Sequence, residues 1–225
     1  MGEATQPHIL IVDDEADRER SALAQLKEAT HFTVLHPQEV MREDIQKADA
    51  ILVDYRIERW PERDDIGVIS LQPQDGLALA AVLRAHARSV PTPTAFALRS
   101  AHLAELSDPL SPKFRLHVLA RALNLEWVFP KSSGGNTAEL VHQVMILASA
   151  VRKLPPTWPP DNLDETRRLI EQFMAVPEDA SWVGQAWQDI EACHPPIHEI
   201  VAMPELVGQG HGLAVLRWLL HSILP

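Results

Sequence analysis

The stretch AILVD at residues 50–54 is an apolar run that ends in a carboxylate, and the run HILIVDD at residues 8–14 has the same form. Strands without polar alternation are typical of a parallel sheet that is buried on both faces. Parallel strands end at the same edge of the sheet, and open α/β sheets carry their sites at that edge. We therefore expect Asp13, Asp14 and Asp54 to lie close together.

Apolar runs alternate with segments of helical spacing over the first two thirds of the chain. Such alternation implies right-handed crossovers and a parallel sheet. The predicted fold is therefore α/β, with a flavodoxin-like, doubly wound, five-stranded parallel sheet. The strands are predicted at 8–12, 32–35, 50–53, 93–98 and 126–129, and the helices at 15–29, 37–47, from 75, 112–123 and 137–153. In the second helix, Val40, Met41 and Ile45 are predicted to face inward.

A proline-rich segment, LPPTWPP at 154–160, breaks the periodicity and is predicted to be a stiff, extended linker. We expect one domain over 1–153 and a small all-helical region over 161–225. Its helices are predicted at 161–175, 181–193 and 212–224. The chain ends on an apolar helix, which either packs as a core element or continues in a longer protein; we favour the second.

The negative charge is concentrated in the C-terminal region. The net charge is −11, of which −7 lies in residues 155–225. An acidic region repels phosphate backbones, so no DNA contact is expected. One cysteine, Cys193, excludes an internal disulfide and suits a reducing compartment. No signal peptide and no apolar run of roughly 20 residues is found, so we expect a cytoplasmic protein without membrane contact.

Residues 8–153 resemble the receiver domain of two-component response regulators. The resemblance is carried by five positions in order: Asp13-Asp14 after the first strand, Asp54 after the third, Ser100-Ala101 after the fourth and Lys131 after the fifth. It covers about two thirds of the chain.

The resemblance implies a role for each of these residues. Asp54 would accept a phosphoryl group from a phosphohistidine on a histidine kinase or phosphotransfer protein. Mg²⁺ would be held by Asp13, Asp14, Asp54 and the main-chain carbonyl of Arg56. Ser100 would bind a phosphoryl oxygen and Lys131 would pair with the acyl phosphate. The protein would then be no enzyme, beyond intrinsic autodephosphorylation.

The proposed Mg²⁺ ligands are also chemically reasonable, because three converging carboxylates repel one another unless a hard cation neutralises them. Carboxylates also serve as nucleophiles that form acyl phosphates. Thr94 and Ser107 lie close enough in sequence to remain alternatives to Ser100.

The chain departs from the receiver pattern after the acceptor. Asp54 and the Asp75-Gly76 pair that opens the third helix are 21 positions apart, which implies an insertion over 56–73. Trp60 or the segment 66–69 could form a lid or a docking surface beside Asp54, or the insertion could be a solvated surface loop. Position 128, aromatic in most receivers and used there as a switch, is valine.

The C-terminal region favours protein contacts over nucleic-acid contacts, and a homodimer is possible. Trp182, Trp187 and Trp218 are interpreted as core residues rather than contact residues. Zinc could take Cys193 and the histidines near it (His194, His198 and His211), but the spacing is atypical, so a structural role is favoured.

Two alternative functions compete with this interpretation. One is a phosphorylation-independent scaffold that binds partners through the insertion and the C-terminal helices. The other is a carboxylate-nucleophile phosphatase, which typically needs a second aspartate two residues after the nucleophile. That position is Arg56, which disfavours the phosphatase.

Overall fold

The computed structural model describes residues 6–60, 72–87, 92–103, 114–131, 137–155, 163–177, 179–191 and 209–223. Within these ranges the strands are β1 (Ile9–Val12), β2 (Phe32–Leu35), β3 (Ala50–Asp54), β4 (Ala95–Ser100) and β5 (Trp127–Pro130). The α-helices are α1 (Ala16–Leu23), α2 (Arg42–Lys47), α3 (Gly76–Ala87), α4 (Arg115–Ala122), α5 (Thr137–Arg152), α6 (Leu163–Phe173), α7 (Val183–Glu191) and α8 (Gln209–Trp218).

The strands form a parallel sheet in the order β2-β1-β3-β4-β5. This is the flavodoxin-like, doubly wound order, in which the strand sequence reverses between β1 and β3. The predicted fold is confirmed. All residues of β1 and β3 are buried, as expected for strands that are covered by helices on both faces.

The core fills the space between the sheet and its helices. On one face, Ile45, Leu83 and Leu119 pack with strand residues such as Phe96. Each fully buried side chain of this size contributes about 1.5–3 kcal/mol relative to an exposed one. The sheet thereby holds the strand ends rigidly, which matters for any side chain placed at them.

In the first two thirds of the chain, two predicted helices are much shorter than expected. The helix over 15–29 ends at Leu23, because Leu26 takes an extended conformation and a 3₁₀ turn over Lys27–His31 then leads into β2. The helix over 37–47 is divided into a 3₁₀ turn at Pro37–Glu39 and α2.

The division of the second helix changes which of its apolar residues are buried. Met41 occupies the extended N-cap position of α2 and is 60% exposed, so the prediction that it faces inward is wrong. The same prediction is confirmed for Ile45, which is buried, and Val40 packs partly buried against the core.

Strand positions are also shifted slightly from those predicted. The fourth strand runs from Ala95 to Ser100 rather than over 93–98, so Ser100 is its last residue. The fifth begins and ends one residue later than predicted.

The chain divides into two compact units, Met1–Arg152 and Lys153–Pro225. In the second unit the described helices are α6, α7 and α8, and a π-helical turn at Leu219–Ile223 follows α8. The indole Nε1 of Trp187 on α7 donates to Glu171 on α6 at 2.5 Å. Trp218 is buried as predicted, whereas Trp182 is 58% exposed, so its assignment to the core is wrong. Cys193, His194 and His198 lie outside the described residues.

Among the described helices, none is long and apolar enough to cross a membrane.

Candidate functional site

Three carboxylates converge at the C-terminal edge of the sheet. Asp13 and Asp14 follow β1, Asp54 is the last residue of β3, and the two strands are hydrogen-bonded neighbours. One oxygen from each carboxylate lies within 4.8 Å of the others. The group sits where the strand order reverses, which is where open α/β sheets bind ligands. Asp13 is fully buried, and the side chain of Asp54 is 10% exposed.

Lys131 brings a positive charge into this group. It directly follows β5, and its main-chain N–H donates to the Ser100 carbonyl at 2.8 Å, which fixes the end of β5 against the end of β4. Its Nζ donates to Asp13 at 2.8 Å and lies 3.5 Å from Asp54. Burial opposes the charged form of the ammonium, but the surrounding carboxylates outweigh this effect and raise the pKa of Lys131. The lysine therefore stays protonated.

Asp54 titrates far from the range of an ordinary aspartate. Burial, and then the neighbouring charges of Asp13 and Asp14, raise the pKa of Asp54 to about 7, although Lys131 and Arg99 act in the opposite direction. When all three aspartates are ionised, they carry one more charge than Lys131 and Arg99 neutralise. A further cation at this position would lower the pKa of Asp54.

Ser100 ends β4 with its side chain at the same edge. Its Oγ accepts a hydrogen bond from the main-chain N–H of His102 at 2.9 Å. Thr94 precedes β4 at the opposite end of the strand, where its hydroxyl donates to the Ala48 carbonyl. Thr94 is therefore not an alternative to Ser100. Ser107 lies outside the described residues.

An open cleft of about 310 Å³ leads to the carboxylates. Asp14, Asp54, Ser100, Arg56 and Lys131 all contribute to its lining. Five of the six predicted site residues thus face one cleft, and the sixth, Asp13, is joined to it through Lys131. The metal-binding role of the Arg56 carbonyl stays a prediction.

The first residues of the insertion run across this edge of the sheet. We call residues 57–60 the strap. The Asp14 carboxylate accepts hydrogen bonds from the main-chain N–H groups of Glu58 at 2.8 Å and Arg59 at 2.6 Å. The Arg59 guanidinium lies 3.0 Å from Glu15. The strap is therefore tied to the residues that follow β1.

The far end of the strap reaches the chain beyond β2. The imidazole of His36 bonds the Arg59 carbonyl at 3.0 Å, and the rings of His36 and Trp60 pack edge to face at 6.5 Å between centroids. Trp60 thus contacts His36, and its role as a lid or docking surface stays a prediction. The other candidate, residues 66–69, lies outside the described residues.

Gly76 allows the chain to return close to the acceptor. A Cβ atom at this position would lie 1.9 Å from the main-chain oxygen of Asp54. The N–H of Gly76 donates to the Tyr55 carbonyl, and the Asp75 carboxylate caps α3 by accepting from Leu77 and Ala78. Gly76 is therefore required by its packing against β3, whereas Asp75 serves as the cap of α3.

A second ion pair adjoins the carboxylates and was missed in the sequence. Glu19 on α1 is buried, and its carboxylate accepts from Arg99 on β4 while lying 3.6 Å from Lys131. The one sequence signal is an arginine that directly follows four apolar residues in the strand AFALRS. A charged residue there needs a buried partner, and nothing in the sequence identifies Glu19 as that partner.

The residues at this edge fit a divalent cation with a preference for oxygen. Mg²⁺ keeps its ligands about 2.0–2.1 Å away in octahedral geometry and takes one or two protein carboxylates with water and phosphate. The three aspartates supply one oxygen donor each, all within 4.8 Å of one another, and the group contains no nitrogen or sulfur donor. The donor set is therefore suited to Mg²⁺ rather than zinc.

Comparison with protein-family models finds no match, and comparison with curated proteins finds none either. Among solved structures, the chain is similar to RcsB from Salmonella enterica serovar Typhimurium, bound to the promoter rprA with the phosphomimetic BeF₃⁻. The two are 13% identical over 93% of this chain and 99% of the other, with a TM-score of 0.36. A structure of two RcsB dimers bound to two parallel DNAs gives 12% identity over 97% and 100%, with a TM-score of 0.34.

RcsB is described as DNA-bound in both structures. A likeness at these TM-scores carries no argument about the ligands of this chain. The expectation that this chain makes no DNA contact therefore stays a prediction, as does the possible homodimer.

Proposed function

We propose that this protein is a response regulator in which Asp54 accepts a phosphoryl group from a histidine kinase or phosphotransfer protein. The observation that carries the proposal is the convergence of Asp13, Asp14 and Asp54 around the Lys131 ammonium, at the mouth of an open cleft. A nucleophilic carboxylate, a hydroxyl and a cation then face the same space. These are the groups that phosphoryl transfer to a carboxylate requires.

In the proposed reaction, a carboxylate oxygen of Asp54 forms a bond to phosphorus as the bond from phosphorus to the donor's imidazole nitrogen breaks. The electron pair of that broken bond stays on the ring nitrogen. The ionised form of Asp54 is the nucleophile, so the protonated form must first lose its proton. Lys131 and the Ser100 hydroxyl would stabilise the charge on the phosphoryl oxygens.

Asp13, Asp14, Asp54 and the Arg56 carbonyl would hold Mg²⁺. When bound, the ion would neutralise the carboxylates and the charge on the phosphoryl group. Apart from autodephosphorylation, we assign the protein no catalytic turnover. The C-terminal helical region would bind a protein partner in the cytoplasm.

Incubation of the full chain with Mg²⁺ and acetyl phosphate tests the proposal. We expect a mass increase of one phosphoryl group in the wild type and none in Asp54→Asn. Asp17→Asn is the matched control, because Asp17 is a fully exposed carboxylate of α1. Equal labelling of wild type and Asp54→Asn, or no labelling of either, would contradict the proposal.

A phosphorylation-independent scaffold is the second candidate. It is favoured by one observation: the Asp14 carboxylate, which lines the cleft, also accepts two hydrogen bonds from the main chain of the strap. A partner that binds the wild type and Asp54→Ala equally, in the presence of the phosphoryl donor, would support the scaffold against the first proposal.

A further inference from the structure

Arg99 forms an ion pair with Glu19 and lies beside the proposed acceptor, because it pairs with Asp54 across β3 and β4. The Arg99 side chain is 12% exposed, and its guanidinium donates to the Glu19 carboxylate at 2.5 Å. The other oxygen of Glu19 lies 3.6 Å from Nζ of Lys131. Glu19 therefore bridges two cations, one of which also serves the proposed site.

The distances around Lys131 show a competition between carboxylates. Its Nζ lies 3.5 Å from Asp54 and 3.6 Å from Glu19, so both attract the ammonium at nearly equal range. Arg99 is closer to Glu19 than Lys131 is, and it is held there by β4. A guanidinium is always charged and matches the geometry of a carboxylate, so it satisfies Glu19 without drawing on Lys131.

Removing Arg99 would change this balance. Glu19 would remain buried, and among the described residues Lys131 would be the cation left within ion-pair distance of it. Burial of a charge without a full partner is costly. The ammonium would then move toward Glu19 and away from the oxygens of Asp54. Asp13 also attracts the ammonium, because Nζ of Lys131 already donates a hydrogen bond to it.

We propose that Arg99 is a positioning residue for phosphoryl transfer to Asp54, which acts by neutralising Glu19 so that Lys131 remains available to the acceptor. This inference rests on the proposed function. In this role the Arg99 side chain acts on the acceptor through Glu19 and Lys131. The role depends on the charge of Glu19, so it disappears when that charge is removed.

The dependence on Glu19 gives the test. Phosphorylation of the full chain by acetyl phosphate is measured at saturating Mg²⁺ for the wild type, Arg99→Met, Glu19→Gln and the double variant. Arg99→Met is expected to slow phosphorylation by about tenfold or more, the effect of roughly 1.4 kcal/mol of lost charge stabilisation. The double variant is expected to recover to within about threefold of Glu19→Gln.

Mg²⁺ affinity, measured beside the rate, distinguishes a positioning role of Arg99 from a purely structural one. Arg99→Met leaves one more uncompensated negative charge near the carboxylates, so Mg²⁺ should bind as tightly as in the wild type or more tightly, while the rate falls. A distorted site would lose both the affinity and the rate. Arg99→Lys, which keeps the charge, is expected to retain most of the rate.

The outcomes separate the two proposals. If the wild type takes no phosphoryl group, both are overturned. If the wild type is labelled but Arg99→Met reacts at the same rate, or the double variant is slower than Glu19→Gln, only this inference is overturned. Should Arg99→Met fail to fold, the comparison of Glu19→Gln with the double variant decides, because a buried ion pair replaced at both ends is often neutral for stability.

Discussion

The protonation of Asp54 couples the proposed acceptor to the stability of the whole first unit. Because burial and Asp13 raise its pKa from 3.8 to about 7, the folded protein holds a proton between these values that the unfolded chain has lost. The free energy of unfolding therefore falls as pH rises through this range, by at most about 4 kcal/mol. The penalty is absent below the unfolded pKa and complete above the folded one.

Asp54→Asn should remove this pH dependence, because an amide carries no charge at either pH. In EDTA we expect the variant to be more stable than the wild type at pH 8 by about 2–4 kcal/mol, and the difference to shrink toward pH 5. Urea unfolding at the two pH values measures it. Asp17→Asn is the control, since that carboxylate is exposed and should show no such effect. A constant difference between wild type and Asp54→Asn would contradict the prediction.

Mg²⁺ should stabilise the wild type at pH 8. An ion at a concentration 100 times its Kd adds about 2.7 kcal/mol to the free energy of unfolding, provided that it binds the folded state alone. We expect a rise in Tm with MgCl₂ that is strongly reduced in Asp54→Asn and in Asp13→Asn. Equal shifts in all three proteins would place the ion elsewhere.

At the scale of the residue, the sequence predicts where the three carboxylates lie but not the Arg99–Glu19 ion pair beside them. Asp13 and Asp54 follow apolar strands, so their position at the sheet edge follows from the strand pattern alone. Arg99 and Glu19 are 80 positions apart, and Glu19 lies in the charged sequence of α1, where a buried acid has no distinguishing mark. Only the packing of α1 against the sheet brings the two together.

At the scale of the element, the start of α3 is constrained by its contact with β3. Gly76→Ala would place a methyl group where the Asp54 oxygen lies, so α3 must shift. Overpacking of this kind costs typically 1–3 kcal/mol. Gly184→Ala in α7 is the matched control, because nothing lies within 4 Å of its Cβ position, and it should be neutral or stabilising by up to about 1 kcal/mol. Equal effects of the two variants on chemical denaturation would contradict this account.

The strap should depend on Asp14. Its carboxylate is the acceptor for the main-chain N–H groups of Glu58 and Arg59, so Asp14→Ala should speed hydrogen exchange at these two amides. Amide exchange followed by NMR measures the effect, and the amides of β3 should stay protected because their partners lie in the sheet. Unchanged exchange at Glu58 and Arg59 would mean that other contacts hold the strap.

Strands were predicted more accurately than helix ends because burial on both faces leaves a clear apolar run in the sequence. The end of α1 depends instead on the extended backbone of Leu26, which has no glycine or proline to signal it. The prediction that Met41 faces inward is wrong for a similar reason, because the local sequence does not show that the second helix is divided. A turn that local sequence does not mark moved this residue to an N-cap and exposed it.

At the scale of the whole molecule, the distribution of charge is the basis for the expectation that the protein does not bind DNA. The region beyond residue 154 carries −7 of the net −11, and phosphate backbones are bound through lysine and arginine. The distribution of charge therefore predicts that the protein does not bind DNA.

We expect no binding of a fluorescently labelled duplex by the full chain, measured by anisotropy with Mg²⁺ and BeF₃⁻. Non-specific binding by basic proteins has a Kd of about 10⁻⁴–10⁻⁶ M at physiological salt and tightens steeply at lower salt, because binding releases counterions. The titration is therefore run to about 10 µM protein at 150 and 50 mM salt, a range in which such binding would be detected. Asp54→Asn is titrated alongside as the variant that BeF₃⁻ should not activate. Binding by the wild type that weakens with salt would overturn the prediction. If that binding also requires BeF₃⁻ and is lost in Asp54→Asn, it would show that phosphorylation exposes a DNA-binding surface despite the acidic charge.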